Sequence, residues 1–493
     1  MKAIVIMFDS LNKRLLKPYG CKWTHTDSFQ RMAEHSVKFD KCYAGSLPCM
    51  PARRELQTGR YNFLHRSWGP MEPFDDSLPE NLKKNGVFTH LITDHYHYWE
   101  DGGATYHTRY SSWEIVRGQE GDPWKCSVKN PHIPPCESAR VSDNWRQDWV
   151  NREYINKEEE FPLVKTFKLG EEFIDKNHDQ DNWMLHLECF DPHEPFNSPD
   201  VYKEQFPHEY SGKHFDWPVY RQIQDSDPQN VVEHIRSEYA ALLSMCNEYF
   251  GQLLDKIDAY DMWKDTMIIV CTDHGYMLGE HNWFGKNVMP QYDEISNNPL
   301  FVWDPRFGVK NETRNSLVQT IDLVPYIYNY FGVEIPETVM GKDISPVITS
   351  DKKIREYALF GIHGASINCT DGRYVYMCAP RKEYEDSYNY TLMCTHLKQF
   401  FTIQELHTAE LVEPFSFSKG CKLLKIKKGK PKFQSIPLNF GNLLFDTKTD
   451  PEEEHPIIDT DVESRMRNII VKALKENDAP EYLYEKHGLE NNA

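Results

Sequence analysis

The chain has 493 residues, 40% hydrophobic and 27% charged, with a formal net charge of −19. That length allows a large core and two domains, and no apolar run reaches the ~20 residues that span a bilayer, so no membrane insertion is expected. The acidic surplus excludes nucleic acid as a generic partner and confines any anion-processing site to a local positive pocket.

The opening run, Ala3 to Phe8, lacks the long apolar segment and cleavage site of a secretory signal, so the expected location is cytoplasmic. Twelve cysteines with no CxxC pair are expected as free thiols, which argues against a zinc ribbon or a thioredoxin-type site.

In chain order, Ala3 to Phe8 reads as a buried strand ending at Asp9. Cys49-Met50-Pro51-Ala52-Arg53 starts a helix: proline suits the first turn, and Gly59 supplies the stop. Asp76 to Lys84 has helical spacing, and Thr89 to Thr93 is a strand ending at Asp94, with His95 and His97 beyond. The helix pattern of Leu163 to Lys176 precedes the strand Trp183 to Phe190, which ends at Asp191 with His193 next. The long helix pattern Val231 to Tyr260 precedes Met267 to Thr272, which ends at Asp273 and His274. Pro299 to Trp303 and Thr320 to Phe331 add a strand and a helix. This alternation predicts an α/β layered fold. In open α/β sheets ligands bind outside the carboxyl ends of the strands, so the four strand-end aspartates are expected to line one crevice.

The irregular spans Tyr98 to Arg152 and Pro192 to Asp227 follow two of these strand ends and are expected to wall the substrate pocket. Trp99, Tyr106, Trp113 and Trp124 in the first, and Phe196, Tyr202, Phe215 and Trp217 in the second, are candidates to stack on sugar rings, with core packing the alternative. The pattern changes near Ser345 to Lys353. It separates residues 1–350 from a smaller subdomain, 351–493, of short antiparallel strands (Tyr357 to Phe360, Ala365 to Cys369, Arg373 to Cys378, Asn442 to Phe445) and a closing helix, Val462 to Leu474. Lysines 419, 422, 425, 427, 428, 430 and 432 read as a solvated loop or a lysine-guarded strand edge, with attraction of a polyanionic substrate the alternative.

Cys49 lies where free N–H groups and the positive end of a helix dipole gather, a place for an anion or for a nucleophile attacking one. The competing reading is a buried structural thiol. Arg53, four residues on, returns to the same helix face. Asp9, Asp273 and His274 offer oxygen and nitrogen ligands; Ca²⁺ and Mg²⁺ prefer oxygen, and the histidine widens the choice.

Cys49-x-Pro51-x-Arg53 followed by Thr58-Gly59-Arg60 resembles the signature of the type I, formylglycine-dependent sulfatases of the alkaline phosphatase-like superfamily. The stretch Gly279 to Asn287 is similar to the family segment whose lysine, here Lys286, contacts sulfate and the leaving oxygen. Phe190-Asp191-Pro192-His193-Glu194-Pro195-Phe196 resembles the family's His-x-Pro segment, and His95 and His97 occupy the place of its Lys-x-His pair. The similarity reaches from Lys2 to about Phe331 and returns in Leu443 to Glu452. Two positions depart from the pattern: Ser10 stands where a second aspartate is usual, and His95 where lysine is commoner.

The resemblance implies a large mixed central sheet flanked by helices, with a smaller C-terminal α+β subdomain. It implies that a formylglycine-generating maturation enzyme oxidises Cys49, and that the aldehyde hydrates and attacks sulfur. One divalent metal, Ca²⁺ first and Mg²⁺ or Mn²⁺ next, would be held by Asp9, Cys49, Asp273 and His274. Arg53, Lys286 and His95 would bind the sulfate, His193 or Lys286 would protonate the leaving oxygen, and His97 would take the proton whose removal expels sulfate. The expected substrate is a small-molecule or oligosaccharide sulfate ester, a sulfated sugar ahead of an aryl or choline sulfate. The alternatives are a phosphonate or phosphate ester hydrolase and a noncatalytic sulfoglycan-binding protein.

Overall fold

The computed structural model describes residues 1–137, 143–381, 386–428 and 437–489. Its centre is the strand Lys2–Phe8, in which Ile4, Ile6 and Phe8 enter one core while Ala3, Val5 and Met7 enter another. Burial on both faces is what a near-continuous apolar run in a parallel sheet requires. The strand pairs in parallel with Trp183–Cys189 on one side and Thr266–Thr272 on the other.

Among the described residues these belong to a nine-stranded sheet in the order Glu312–Arg314, Val37–Tyr43, Asn297–Trp303, Thr266–Thr272, Lys2–Phe8, Trp183–Cys189, Phe88–Thr93 and Ser112–Ile115, with Val318–Gln319 also on Val37–Tyr43. Asn297–Trp303 runs antiparallel to both neighbours and makes the sheet mixed. The helices Asp27–His35, Pro162–Asn177 and Val231–Ala259 supply apolar side chains to one face. Cys49–Thr58, Leu78–Lys84 and Leu323–Phe331 supply the other. The α/β expectation therefore holds, and the predicted helices fall within a few residues of those observed. Val37–Tyr43 went unread because its alternating lysines and aspartate resemble a surface segment.

After residue 350, Ala358–Ile362, Ile367–Thr370, Tyr374–Cys378 and Leu443–Asp446 form an antiparallel sheet. The helix Thr460–Glu476 packs on it through Met466, Ile470, Ala473 and Leu474. The fifth strand of this sheet is Ser46–Leu47, parallel to Ala358–Ile362. The C-terminal sheet is thereby fastened to the two residues that precede Pro48 and Cys49.

Lys419 and Lys422 lie in exposed irregular chain, as expected, but Lys425, Lys427 and Lys428 belong to a strand that is not an edge. Leu423–Lys428 is the middle strand of a three-stranded sheet, between Ser387–Thr391 and Glu410–Val412. Lys419, Lys422, Lys425 and Lys427 pair with Asp76, Glu413, Glu410 and Asp386, partners that the local sequence does not reveal. Lys430 and Lys432 lie outside the described residues.

Several histidines are buried without a counter-charge. Burial pushes His65 and His186 down to about 3 and His487 to about 4. Unfolded chains protonate at about 6.5. Below that pH the unfolded state binds protons that the folded state refuses, so stability is lost as pH falls from about 6.5 toward 4, at about 1.4 kcal/mol per pH unit for each such histidine. Urea denaturation between pH 7.5 and 4.5 should show this decline, and His186→Gln should make the slope shallower by about one proton; an unchanged slope would refute the assignment.

Candidate active site

The carboxyl ends of adjacent strands place the acids. Asp9 follows Phe8, Asp273 follows Thr272, and Phe8 is in register with Thr272. The helix Cys49–Thr58 brings its first residue to the same point, and Gly59 ends it at φ +64°, where an added Cβ would come within 2.8 Å of Val339. One ligand atom from each of Asp9, Cys49, Asp273 and His274 lies within 4.8 Å of all the others, and all four residues are buried. Cys49 Sγ is 3.2 Å from His274 Nε2. Cys49 has φ +35° and Ser10 has φ +60°, a left-handed backbone that non-glycine residues adopt at a cost of order 1–3 kcal/mol where the surroundings impose it.

Arg53, one turn along the helix, is almost completely buried and faces three carboxylates. Its Nη2 donates to Asp9 at 2.8 Å, its Nη1 to Asp273 at 2.7 Å, and its Nε to Glu188. Glu188 escaped the sequence reading because it lies inside an apolar strand rather than at its end; its other oxygen accepts from Tyr98 Oη at 2.8 Å. Burial raises Asp9, but Arg53, His193, Lys286 and His274 outweigh it and hold the carboxyl well below the usual range. Burial raises Glu188, with Arg53 and Tyr98 opposing.

Lys286 Nζ donates to Ser10 Oγ at 3.0 Å, and Ser10 Oγ donates to Asp9 Oδ1 at 2.8 Å. The serine at the unusual position thus links the lysine to the acid. Lys286 also lies 3.5 Å from Glu194 Oε2, which is 3.3 Å from His193 Nδ1. Tyr220 Oη donates to the same carboxylate. Glu194 is a second residue that the sequence reading left without a role; its place beside His193 was the available signal. Burial lowers Lys286, but Cys49, Glu194, Asp9 and Asp273 overcome it and push the ammonium upward.

His95 is fully buried, and neither ring nitrogen has a hydrogen-bond partner. Its ring lies 4.9 Å from that of His97 and 5.2 Å from Phe190, which contacts His193 at 4.2 Å. His97 Nδ1 is 2.8 Å from Glu100 Oε2, without hydrogen-bond alignment, and its ring meets Trp68 edge-on at 5.3 Å. Burial lowers both histidines, reinforced at His95 by Arg53 and at His97 by Lys398. The structure therefore places Asp9, Cys49, Arg53, Asp273, His274 and Lys286 in one cluster, joins His193 to Lys286 through Glu194, and packs His95, with His97 against it, on Phe190.

The strand-end acids separate into two pairs. Asp94 and Asp191 are bridged by Gln119 Nε2 at 2.9 and 3.1 Å, and burial pushes Asp94 up to about 7. Asp9 and Asp273 remain with the cluster. Around it, among the described residues, the carboxyl groups of Asp9, Glu188, Glu194 and Asp273 outnumber the permanent cations paired with them, Arg53 and Lys286. Two carboxylates, a histidine that burial holds neutral and the two orphaned nitrogens of His95 fit a divalent cation with an anion beside it.

A cavity of about 520 Å³ opens here, between Pro48 and Pro51 on either side of Cys49 and beside Asn287, next to Lys286. Its far wall is Ile362, His363, His396 to Gln399 and Lys428. Among the described residues the two irregular spans do not line this cavity, although His193, Glu194 and Tyr220 of the second stand beside Lys286. Phe196, Tyr202 and Phe215 join the core with the Val231–Ala259 helix, Tyr106 joins the other core, and Trp217 is buried. Trp99 and Trp113 lie on the surface against His107, and Trp124 packs over Gly118. The insertions carry enough apolar surface to form their own packing, so they do not present it to a ligand.

A sulfatase family model matches residues 2–333. An N-acetylglucosamine-6-O-sulfatase of Bacteroides thetaiotaomicron is 23% identical over 412 residues, covering 71% of this chain and 71% of that protein. Among solved structures, a protein in complex with its substrate D-glucosamine-2-N,6-O-disulfate superposes with a TM-score of 0.65 at 14% identity, over 97% of this chain and 98% of that one. The phosphonate monoester hydrolase of Agrobacterium radiobacter gives a TM-score of 0.66 at 16% identity, over 96% and 95%.

Removing a partner from a buried ionic network leaves uncompensated charge and costs about 3–5 kcal/mol. Arg53→Met should therefore lower the urea-unfolding free energy by about that amount, and adding Glu188→Gln should recover part of it. A stable Arg53→Met protein would show that the network does not hold the site together.

Proposed function

The chain belongs to the sulfatase family of sulfuric ester hydrolases, and on that premise we propose that it hydrolyses the sulfate ester of a carbohydrate, with Cys49 as the position oxidised to formylglycine. The observation that supports this is the seat of Cys49: first residue of a helix, buried among Asp9, Asp273 and His274, with its neighbours Pro48 and Pro51 lining the cavity. As a thiol it is a poor nucleophile there, since burial and then Asp9 raise it well above its ordinary value. An aldehyde at this position supplies covalent chemistry that a buried thiol does not.

Asp9, Asp273, His274 and the residue at 49 would hold Ca²⁺, with Mg²⁺ or Mn²⁺ as alternatives; a bound divalent cation polarises a sulfate oxygen. The chain's own residues do the rest. Arg53 fixes Asp9 and Asp273. Lys286, held charged by Glu194 and Asp9, binds sulfate oxygens together with the unpartnered ring of His95. His193, whose Nδ1–H donates to the Glu194 carbonyl, would deliver a proton from Nε2 of its imidazolium form to the leaving oxygen, with Lys286 the second candidate. His97, kept neutral by burial, accepts the proton released from position 49. Residues 1–350 would carry this chemistry and residues 351–493 the outer wall of the cavity. No helix among the described residues is long and apolar enough to cross a membrane. A cytoplasmic location and a maturation enzyme acting on Cys49 belong to the same proposal.

Mass spectrometry of the peptide containing position 49, with sulfate release from N-acetylglucosamine 6-sulfate, tests the reading. Cys49→Ala should lower turnover at least ~10³-fold, and Lys286→Ala about 10²-fold or more. A large preference for phosphonate esters, or a thiol at 49 with sugar binding and no sulfate release, would overturn it. Adding Ca²⁺ to chelator-treated protein should raise its melting temperature, by about 2.7 kcal/mol of stabilisation at a hundredfold excess over Kd. Asp9→Asn with Asp273→Asn should abolish the rise.

A further inference from the structure

The outer wall of the cavity is positive, on a protein whose overall charge is −19. Among the described residues none that lines the cavity carries a carboxylate, whereas Lys398, Lys428 and His396, the last paired with Glu405, do line it. Lys428 differs from its neighbours in the strand Leu423–Lys428. Lys419, Lys422, Lys425 and Lys427 each have a carboxylate between 2.5 and 3.8 Å away, while the charged groups acting on Lys428 are Lys486 and Arg66, both positive. It has no ion-pair partner among the described residues, and burial with these two cations lowers it to about 7. Arg66 is itself buried: its Nη2 donates to the Thr395 carbonyl and its Nε lies 3.8 Å from Glu72, Nε and Nη1 have no hydrogen-bond partner, and it acts on His363 and His396 as well as on Lys428. Lys398 reaches a carboxylate, that of Glu100, only at 4.0 Å.

Buried or half-buried cations are ordinarily paired, because the desolvated charge is costly alone. Here Lys428 has no carboxylate partner among the described residues and Lys398 only one at 4.0 Å, while Arg66 and His396 beside them are paired with Glu72 and Glu405, so an anion entering the cavity would complete the first two. The cavity joins this wall directly to the prolines flanking Cys49, and Trp68, which lines it beside His97, offers a flat face for a sugar ring. Its volume lies within the ~300–1,000 Å³ of small-ligand pockets and suits a mono- or disaccharide.

We propose that this wall, formed by Lys398 and Lys428 with Arg66 and His396 in support, is a second anion subsite, so that the substrate class is a sugar carrying a further sulfate or a carboxylate besides the ester that is cleaved. The inference rests on the sulfatase reading for the identity of the first site. The second anion completes the charge of the wall, and Lys428, whose ammonium is disfavoured alone, becomes a charge-assisted donor in its presence.

The test is binding, measured by calorimetry on Cys49→Ala protein with three probes: N-acetylglucosamine 6-sulfate, glucosamine 2-N,6-O-disulfate, and a hexuronate–N-acetylglucosamine 6-sulfate disaccharide. At least one doubly charged probe should bind about tenfold or more tightly than the first, and which one does so separates sulfate from carboxylate. Lys428→Met, and independently Lys398→Gln on the half-exposed rim, should each remove most of that preference, whereas Lys427→Met, whose partner is Asp386, should preserve it. Equal affinity for the three probes overturns the subsite, as does a Lys428→Met protein that weakens all three by one common factor. Absence of sulfate release from every substrate in the unsubstituted protein would count against the sulfatase reading, while these affinities still decide the subsite.

Discussion

The structure depends on one buried guanidinium. Arg53 joins three carboxylates that come from three separate strands, at Asp9, Glu188 and Asp273, and it does so from a helix on one face of the sheet. Left alone, carboxylates this close would repel and take up protons; with the arginine between them they stay ordered and, at Asp9, ionised. A planar fork with donors on three sides can do this where a lysine ammonium cannot. Buried pairs of this kind are weak evidence for stability in themselves. Their consequence here is geometric, because they hold the two acids of a metal-type cluster at fixed positions beside Cys49.

The second organising feature is the way the two sheets meet. Ser46–Leu47 adds to the C-terminal sheet, and two residues later the chain opens the helix that carries Cys49 and Arg53. The cavity above Cys49 consequently has a floor from the first part of the chain and a wall from residues after 350. A change in the C-terminal part alters what can enter without disturbing the cluster beneath, which is how chemistry and selectivity are separated in folds of this kind.

Charge follows the same division. Among the described residues, carboxylates outnumber permanent cations in the cluster, whereas at the wall Lys428 has no carboxylate partner and Lys398 has one only at 4.0 Å. Neither imbalance shows in the net charge of the chain, because focusing by low-dielectric walls acts over a few ångströms and the surface acids lie elsewhere.

The strands that end at Asp9, Asp94, Asp191 and Asp273, most helices between them and the positions of Asp9, Cys49, Arg53, Asp273 and His274 were legible in the sequence, because each is tied to a local signal: an apolar run with an acid at its end, or a proline-led helix start; Lys286 was legible only through the family resemblance of its segment. Glu188 and Glu194 were not read as site residues, nor was the pairing of Asp94 with Asp191 through Gln119, since the contacts of Arg53 with Glu188, Lys286 with Glu194 and Gln119 with Asp191 each span more than 70 residues and leave no local spacing. The insertions misled for a related reason, as aromatic residues in an irregular stretch look alike whether they turn outward to a ligand or inward to pack. The lysine run looked solvated until the fold set acids opposite four of its members and left Lys428 facing the cavity. Local periodicity and end residues thus determined the elements and the chemistry at their tips; which side chains met across the sheet, and which part of the chain closed the cavity, were decided only by the tertiary packing, because those neighbours are joined through space.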